Sequence, residues 1–374
     1  MMGTLLRNET ERNYGIDALR LYAMFLIVVL HVLGSGGVLK TSTGWNYHIA
    51  WLMEVNACCA VNCYALVSGY VNVERKNLQN RIGKYISMWM QVFFYSFGIT
   101  AVAFLLNHES IGILALLESL FPVATNQYWY FSCYTALFFL IPWLNRFIQM
   151  CDNRELTRLV ALLVVMFSAF STLSQRLGGD PFVVSYGYSM VWLITLYFIG
   201  AWMKKCHVIE RIPTSATVVG LFVSILVTWV AKQFLPNWIG TSVLVSYISP
   251  MNLLIATSYF CFFAKLRFPS TIQKFISVLS PAAFGVYLIH VQKVVWQHFI
   301  AGSFSTLSEV SVIGMVIGVL GCAFVIFSVC ICLELVRIWI FRLLHIEYLI
   351  QIIGNVLEQI TGKISLRIGN LFDN

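Results

Sequence analysis

Arg20 and His31 are ionisable residues within the first long apolar segment of the chain, separated by the sequence LYAMFLIVVL. Ionisable side chains inside a membrane helix are rare and costly, so each is a candidate functional residue. Eleven residues of α-helix rotate by about 1100°, about 20° beyond three full turns, which puts both side chains on one face, about 16 Å apart along the axis. Asp17, three residues before Arg20, shares that face. The spacing predicts a line of carboxylate, guanidinium and imidazole.

The imidazole and the guanidinium have defined chemical uses. An imidazole can act as a general base or a nucleophile, and a guanidinium can hold a phosphate. Each also has a structural interpretation, since Arg20 can extend to the lipid headgroups and His31 can hydrogen-bond to a neighbouring helix. The helix geometry alone leaves both interpretations open.

Glu54 lies in the second apolar segment, which runs back across the membrane and reaches a depth similar to that of His31. A carboxylate at that depth can hydrogen-bond to an imidazole and fix its tautomer. The alternative is a glutamate that faces a water-filled cavity without a catalytic role. The sequence makes Asp17, Arg20, His31 and Glu54 the candidate catalytic residues.

A cluster of cations, Arg75, Lys76, Arg81 and Lys84, follows the end of the second segment. Guanidinium groups bind phosphates bidentately, so the cluster suits a phosphorylated cofactor. The alternative is the ordinary excess of cations on the cytoplasmic side of membrane proteins. We predict a cofactor-binding group formed by Arg20, Arg75, Arg81 and Lys84.

Two further places combine aromatic and ionisable residues at membrane depth. Trp129 and Tyr130 open one apolar segment, and Tyr287 and His290 lie in a late one. The aromatic pair fits either an interfacial belt or a platform for a sugar or an acyl arm. His290 fits either a hydrogen bond between helices or a catalytic role. We predict that these four residues contact substrate.

The composition indicates an integral membrane protein, since 59% of the 374 residues are hydrophobic and 11% are charged, whereas about a quarter are charged in soluble domains. A helix needs about 20 apolar residues to cross a bilayer. The chain is therefore predicted to be all-α with about ten transmembrane helices, at 14–34, 48–71, 82–106, 129–150, 157–176, 186–203, 213–235, 242–264, 281–300 and 310–344. We predict one membrane domain over 1–345 and an amphipathic cytoplasmic tail over 346–374.

The distribution of Lys and Arg predicts the orientation. Of these 24 residues, 19 fall on the side of the N-terminus, four on the other side and one, Arg20, within the first segment. By the positive-inside rule both termini are cytoplasmic. The net charge of +8 then reflects topology, and no nucleic-acid-binding motif accompanies it. The ten cysteines show neither a disulfide framework nor the spacing of a metal site, so no metal is predicted.

Five segments carry a resemblance to a known family. They are IDALRLYAMFLIVVLH, LVSGYVNVERK, QYWYFSCYTALFFLIPWLN, LYFIGAWMKK and SPAAFGVYLIH, in this order along essentially the whole chain. The sequence resembles the membrane acyltransferase-3 family, whose members transfer acyl groups, usually acetyl, from acyl-CoA to sugars and other acceptors of the cell envelope. The resemblance implies that Arg20 and His31 are essential, and that Arg75 and Arg81 belong to the acyl-CoA end.

The resemblance also places Tyr287 and His290 in the late Tyr-Leu-x-His signature of the family. Many relatives carry an acid early in the fourth membrane segment, whereas this chain reads WYFSC at 129–133, so no acidic role transfers to that place. Relatives with an appended hydrolase-like or racemase domain have a second activity, and the sequence shows no such domain.

The expected function is acyl transfer, most simply acetyl transfer from cytoplasmic acetyl-CoA to a hydroxyl of an envelope glycan or lipid-linked sugar, with His31 as general base or acyl carrier. The expected location is the plasma membrane, among its lipids. A transporter or flippase of a glycan precursor is the alternative, because ionisable residues along a path through several spans also describe one. A small-molecule-binding membrane domain is the third reading.

Overall fold

The computed structural model of the chain describes residues 12–74, 81–107, 111–235 and 244–372, apart from the side chains of Arg81 and of 361–372. Within these ranges the regular elements are all helical. The α-helices are α1 Tyr14–Leu33, α2 Val38–Thr41, α3 Gly44–Ala57, α4 Ala60–Asn72, α5 Arg81–Leu106, α6 Ile113–Ser119, α7 Trp129–Met150, α8 Asn153–Val164, α9 Ser171–Arg176, α10 Met190–Lys205, α11 Val208–Arg211, α12 Thr214–Phe234, α13 Pro250–Lys265, α14 Ser270–Leu279, α15 Ala283–His290, α16 Lys293–Val295, α17 Val312–Leu343 and α18 Ile346–Phe372. The π-helical segments are Val165–Phe170 and Trp296–Ile300, and the 3-10 turns are Ser185–Gly187, Ser280–Ala282 and Ser305–Ser308.

Eight helical stretches among the described residues are long and apolar enough to cross a membrane, which fits a multi-pass membrane protein. They are Tyr14–Leu33, Gly44–Asn72, Ile82–Leu106, Trp129–Met150, Asn153–Arg176, Thr214–Phe234, Ser270–His290 and Val312–Leu343. The remaining two predicted spans, 186–203 and 242–264, correspond to α10 and α13, which have 16 residues each. The count of ten spans and the cytoplasmic placement of both termini therefore remain predictions.

The late membrane segment differs from the predicted span 281–300. The helical stretch begins at Ser270 and ends at His290. Pro281 lies within it, in a 3-10 turn that joins α14 to α15, so the proline marks an internal junction rather than the start of a helix. After His290 the chain turns, and the Gln292 side chain accepts hydrogen bonds from the backbone of Val294 and Val295 as the next short helix begins. This turn directs the following residues back towards His31.

Helix α1 forms the centre of the bundle and contacts α3, α4, α13, α15 and α17. It begins where the Asn13 side chain accepts hydrogen bonds from the backbone N–H groups of Gly15 and Ile16, which satisfies donors that have no partner within the helix. Asn13 Nδ2 also donates to the Ala264 carbonyl at 2.9 Å, so the start of α1 lies beside the end of α13. We call this the Arg20 end of the bundle, and the opposite end the His31 end.

Two glycines allow α4 and α10 to pack unusually closely. A Cβ atom added to Gly69 would lie 3.0 Å from the Ala201 nitrogen and even closer to the Tyr197 carbonyl. A Cβ atom added to Gly200 would lie 3.0 Å from the Tyr70 nitrogen and even closer to the Leu66 carbonyl. Small residues at such crossings let helix backbones meet inside a membrane. The close packing holds α4 against α10. It thereby positions Tyr64 of α4, which lies beside Arg20.

Candidate functional site

Arg20 is held in place by an ion-pair network at its own end of the bundle. Asp17 Oδ1 lies 2.8 Å from Arg20 Nη1, and Asp17 Oδ2 lies 2.7 Å from Arg12 Nε. Ser280 Oγ donates a third, longer hydrogen bond to Asp17 Oδ1, at 3.4 Å. Asp17 is buried, whereas 31% of the Arg20 side chain is exposed. The carboxylate therefore fixes a guanidinium that retains unshared N–H donors on an accessible side.

A cavity of about 240 Å³ lies beside this guanidinium. Its wall contains hydroxyl and amide groups near Arg20 and aromatic rings deeper in the bundle. The lining residues that matter here are Arg20, Tyr64, Ser68, Asn72, Tyr130 and Tyr134. The Tyr64 hydroxyl donates to the Arg20 carbonyl at 2.8 Å, so this wall of the cavity is anchored to α1 itself.

His31 and His290 are hydrogen-bonded to each other at the opposite end of α1. His31 Nδ1 lies 2.8 Å from His290 Nε2, and His290 Nδ1 lies 2.5 Å from the Val286 carbonyl oxygen. A carbonyl can only accept, so His290 carries its proton on Nδ1, and in the neutral ring Nε2 is then an acceptor. His31 must therefore donate from Nδ1, which leaves the lone pair of His31 on Nε2. The tautomer follows from these partners rather than from observed hydrogens.

Trp296 contacts the same imidazole and was not singled out by the sequence. Its ring lies edge-on to His31, with ring centroids 4.9 Å apart and planes at 82°. Trp296 opens the π-helical segment that follows the turn after His290. The sequence predicts a single span over 281–300 that contains Trp296. The turn after His290 is what brings Trp296 close to the histidine pair.

Tyr287 connects the cavity beside Arg20 with the histidine pair. Its ring centroid is 6.5 Å from that of Tyr130, which lines the cavity, and 6.5 Å from that of His290. The Tyr287 hydroxyl is buried and has no hydrogen-bond partner among the described residues. A buried hydroxyl without a partner is unusual and makes Tyr287 a candidate functional residue.

The family model described as an acyltransferase domain matches residues 13–335 of the chain. The chain belongs to the acyltransferase-3 family. The match contains both ends of α1, the cavity, the histidine pair and Tyr287. No curated protein and no solved structure matches the chain. The protein is accordingly a multi-pass membrane acyltransferase, and the resemblance seen in the sequence is confirmed.

Glu54 does not bind His31 in this acyltransferase, in contrast to the expected hydrogen bond. His31 Nδ1 takes His290 as its partner. Glu54 Oε2 is buried and has no hydrogen-bond partner among the described residues. The predicted contact rests on the similar membrane depth of Glu54 and His31. Depth does not specify how a helix is rotated about its axis, and the partner of His31 comes from α15 rather than from α3.

Of the cations Arg75, Arg81 and Lys84 that the sequence assigns to the cofactor, only Lys84 has a described side chain. Lys84 is an exposed residue in the first turn of α5, where Ile82 N donates to Glu358 Oε1 at 3.1 Å. Arg75 lies outside the described residues, as does the side chain of Arg81. Lys84 thus marks where α5 meets α18.

The predicted aromatic pair divides between two environments. Tyr130 lines the cavity beside Arg20. Trp129 packs instead into an aromatic cluster, with ring centroids 4.5 Å from Tyr188 and 6.2 Å from Tyr247. Among the described residues no group of three or more His, Cys, Asp or Glu could hold a metal ion.

Proposed function

We propose that this acyltransferase moves an acetyl group from acetyl-CoA, bound at the Arg20 end, to a sugar hydroxyl presented at the His31 end, with His31 as the general base. The observation that carries the proposal is the hydrogen-bond sequence from the Val286 carbonyl through His290 to His31. It leaves the Nε2 lone pair of His31 available for a proton. An imidazole oriented through its other nitrogen is the arrangement that general-base catalysis of acyl transfer requires.

The donor site is supported by charge and shape at the Arg20 end. Acetyl-CoA carries phosphates, and Arg20 offers a partly exposed guanidinium that Asp17 holds in place. Arg75, Arg81 and Lys84 are the further cations that we assign to these phosphates. The cavity continues from Arg20 to Tyr130, and it gives the pantetheine arm a course towards Tyr287 and the histidine pair.

The transfer step balances with the groups present. His31 Nε2 takes the proton of the acceptor hydroxyl as its oxygen forms a bond to the thioester carbonyl carbon. The carbon–sulfur bond then breaks, and the proton on His31 passes to the departing thiolate, which leaves as CoA thiol. The ester remains on the sugar, and His31 returns to its starting tautomer.

Tyr287 is the group that we assign to the negative charge of the intermediate. Its buried hydroxyl has an unused proton and lies next to His290. A hydrogen-bond donor fixed in a site without bulk water stabilises a developing oxyanion strongly, because it needs no reorganisation during the reaction. Tyr287 would thus act on the thioester oxygen while His31 acts on the hydroxyl.

A covalent acetyl-His31 intermediate is the competing version of the same function, because the Nε2 lone pair is also a nucleophile. The two versions differ when no acceptor is present. An acyl-enzyme releases one CoA thiol per protein from acetyl-CoA alone, whereas direct transfer releases none until an acceptor is added.

The remaining assignments follow the sequence. We place the protein in the plasma membrane with both termini and the Arg20 end in the cytoplasm, since the cations gather on that side. The acceptor is then an envelope glycan or a lipid-linked sugar at the outer side, and the modification is O-acetylation of a polysaccharide or its precursor.

The deciding experiment uses the purified full-length protein in liposomes with radiolabelled acetyl-CoA and an envelope extract as acceptor. Wild type is compared with His31→Ala, Arg20→Ala and His48→Ala. His48 is the matched control, because it lies at the His31 end and pairs with Gln233 at 2.8 Å, away from His290. We expect label in the glycan fraction with wild type and His48→Ala only.

Two results would overturn this function. Acetyl transfer by His31→Ala at the wild-type rate would show that His31 is not the general base. Absence of acetyl-CoA binding and transfer by well-folded wild type, with movement of a lipid-linked sugar across the liposome membrane, would establish the transporter instead.

A further inference from the structure

A second, larger cavity of about 600 Å³ lies at the His31 end. It is bounded by the end of α5, by α6 and by the residues that follow His290. Its lining residues that carry polar or aromatic groups are Thr100, Glu118, Ser119, Thr125, Gln127, Lys293, Trp296 and Gln297. Cavities of this volume hold ligands of the size of a disaccharide or larger.

Trp296 borders both this cavity and the candidate base. It lines the cavity and at the same time packs edge-on against His31, with ring centroids 4.9 Å apart. A ligand that stacks on the indole can therefore extend a hydroxyl past the edge of that ring towards the imidazole. Aromatic faces are suited to the apolar C–H face of a sugar ring, while the edges of the ring keep their hydroxyls for polar partners.

The charges in the cavity cancel. Glu118 Oε2 lies 3.6 Å from Lys293 Nζ, and these are the two charged residues in the described lining. An anionic ligand would meet the Glu118 carboxylate and would have to compete with it for Lys293. A neutral ligand meets an internally compensated pair and disturbs neither charge.

The other polar groups are hydroxyls and amides. Ser96 Oγ lies 2.7 Å from Gln127 Oε1 and 2.8 Å from the Ser119 carbonyl oxygen, and its single proton is shared between these two acceptors. Thr100 Oγ1 accepts from Gln292 Nε2 at 2.9 Å and donates its own proton to the Ser96 carbonyl at 2.7 Å, so this hydroxyl can only accept a hydrogen bond from a ligand. Ser119 and Thr125 likewise donate to the carbonyls of Leu116 and Phe121, so these hydroxyls present lone pairs to a ligand. Neutral acceptors of this kind receive hydrogen bonds from sugar hydroxyls and do not require a charge on the ligand.

We propose that this cavity is the acceptor site and that it takes a neutral sugar, stacked on Trp296, in preference to a uronic acid or a phosphorylated sugar. The proposal rests on the proposed function, because the sugar is the acceptor whose hydroxyl His31 deprotonates. What it adds is the location of the acceptor site and a selectivity for uncharged sugars. The Glu118–Lys293 pair is the source of that selectivity.

Ligand protection of an introduced cysteine tests both parts without requiring acetyl transfer. Gln297 is exposed and lines the cavity, so Gln297→Cys should react with a membrane-impermeant maleimide. Lys40→Cys is the matched control, because Lys40 is exposed at the same end in α2 and does not line the cavity. The probes are methyl glycosides of a panel of neutral hexoses and N-acetylhexosamines, each beside the matching uronic acid, on full-length protein in nanodiscs. Background from the ten native cysteines is measured on wild type.

We expect at least one neutral glycoside, at about ten times its Kd, to slow labelling of Gln297→Cys about tenfold. The matching uronic acid should give little protection, and Lys40→Cys should label at an unchanged rate throughout. Adding Glu118→Gln leaves Lys293 without its counter-charge, so the uronic acid should now protect Gln297→Cys. This gain cannot arise from a loss of folding.

Three results would overturn the proposal. The first is that no neutral glycoside slows labelling of Gln297→Cys. The second is that a neutral glycoside and its uronic acid slow this labelling equally. The third is that Lys40→Cys is protected as strongly as Gln297→Cys. The outcome is separable from that of the proposed function. If neutral sugars protect the cavity but wild type transfers no acetyl group, the sugar site stands and the general-base role of His31 falls.

Discussion

Asp17 holds Arg20 through a 2.8 Å contact between Oδ1 and Nη1, three residues apart on the same helix. The second carboxylate oxygen is taken by Arg12. Asp17 is therefore neutralised from both sides while remaining buried, and its charge is available to orient Arg20 rather than to react. The residue is a positioning residue in this arrangement.

Asp17→Asn should weaken donor binding more than turnover. Loss of the charge removes hydrogen bonds to charged groups worth about 1.5–3 kcal/mol each, and Arg20 then has no fixed direction. We expect the KM for acetyl-CoA to rise about tenfold or more with a smaller change in kcat, measured by steady-state transfer in liposomes. Arg12→Gln is the control, since 40% of the Arg12 side chain is exposed and exposed pairs contribute little. A fall in kcat with an unchanged KM would contradict the positioning role.

His290→Leu should lower kcat about 100-fold or more, because His31 then loses the acceptor that keeps its proton on Nδ1. His290→Gln should recover part of this loss, since its side-chain oxygen can accept the same proton. The KM for acetyl-CoA should change little in both variants. Full activity of His290→Leu would show that the histidine pair is only a contact between helices.

Tyr287→Phe should reduce kcat about 10²–10³-fold, the usual cost of losing one oxyanion donor. Tyr128→Phe is the matched control, because Tyr128 is a buried neighbour whose hydroxyl donates to the Leu288 carbonyl at 3.1 Å. That variant should lose about 0.5–1.5 kcal/mol of stability and keep its turnover per folded molecule. If both variants lose activity equally, the effect of Tyr287 is one of packing.

Gly69→Ala and Gly200→Ala should each destabilise the protein, by about 1–3 kcal/mol as overpacking does. The added methyl groups would collide with the facing backbone of α10 or α4. The measurement is thermal unfolding in detergent. Gly98→Ala serves as the control, because a Cβ at Gly98 meets nothing within 4 Å and alanine favours the helix by about 1 kcal/mol. Equal melting temperatures for all three variants would contradict the close packing of α4 against α10.

The parts of the site that lie on one helix could be predicted from the sequence. The line of Asp17, Arg20 and His31 depends only on the pitch of α1, and the ion pair between Asp17 and Arg20 confirms its first half. The family and the all-helical membrane fold were predictable for a related reason, since composition and ordered motifs are properties of the chain itself.

Contacts between helices could not be predicted in the same way. The partner of His31 depends on how α3 and α15 are rotated about their own axes, which a depth along the membrane does not specify. Trp296 reaches His31 only because the helix ends at His290 and the chain turns, yet the turn, at Val291 and Gln292, contains neither glycine nor proline. The length of α10 and α13, at 16 residues each, likewise reflects how they are packed.

The stretch of α1 between Arg20 and His31 contains neither glycine nor proline, so it is expected to behave as a straight rod. The guanidinium and the imidazole are therefore kept at a set separation of about 16 Å along the axis, and under the proposed function this separation sets the length that the donor must span. A thioester whose carrier arm is much shorter than this span would bind at one end without reaching the other. In the proposed mechanism, the donor is thus selected by the length of its arm, without any movement of this helix.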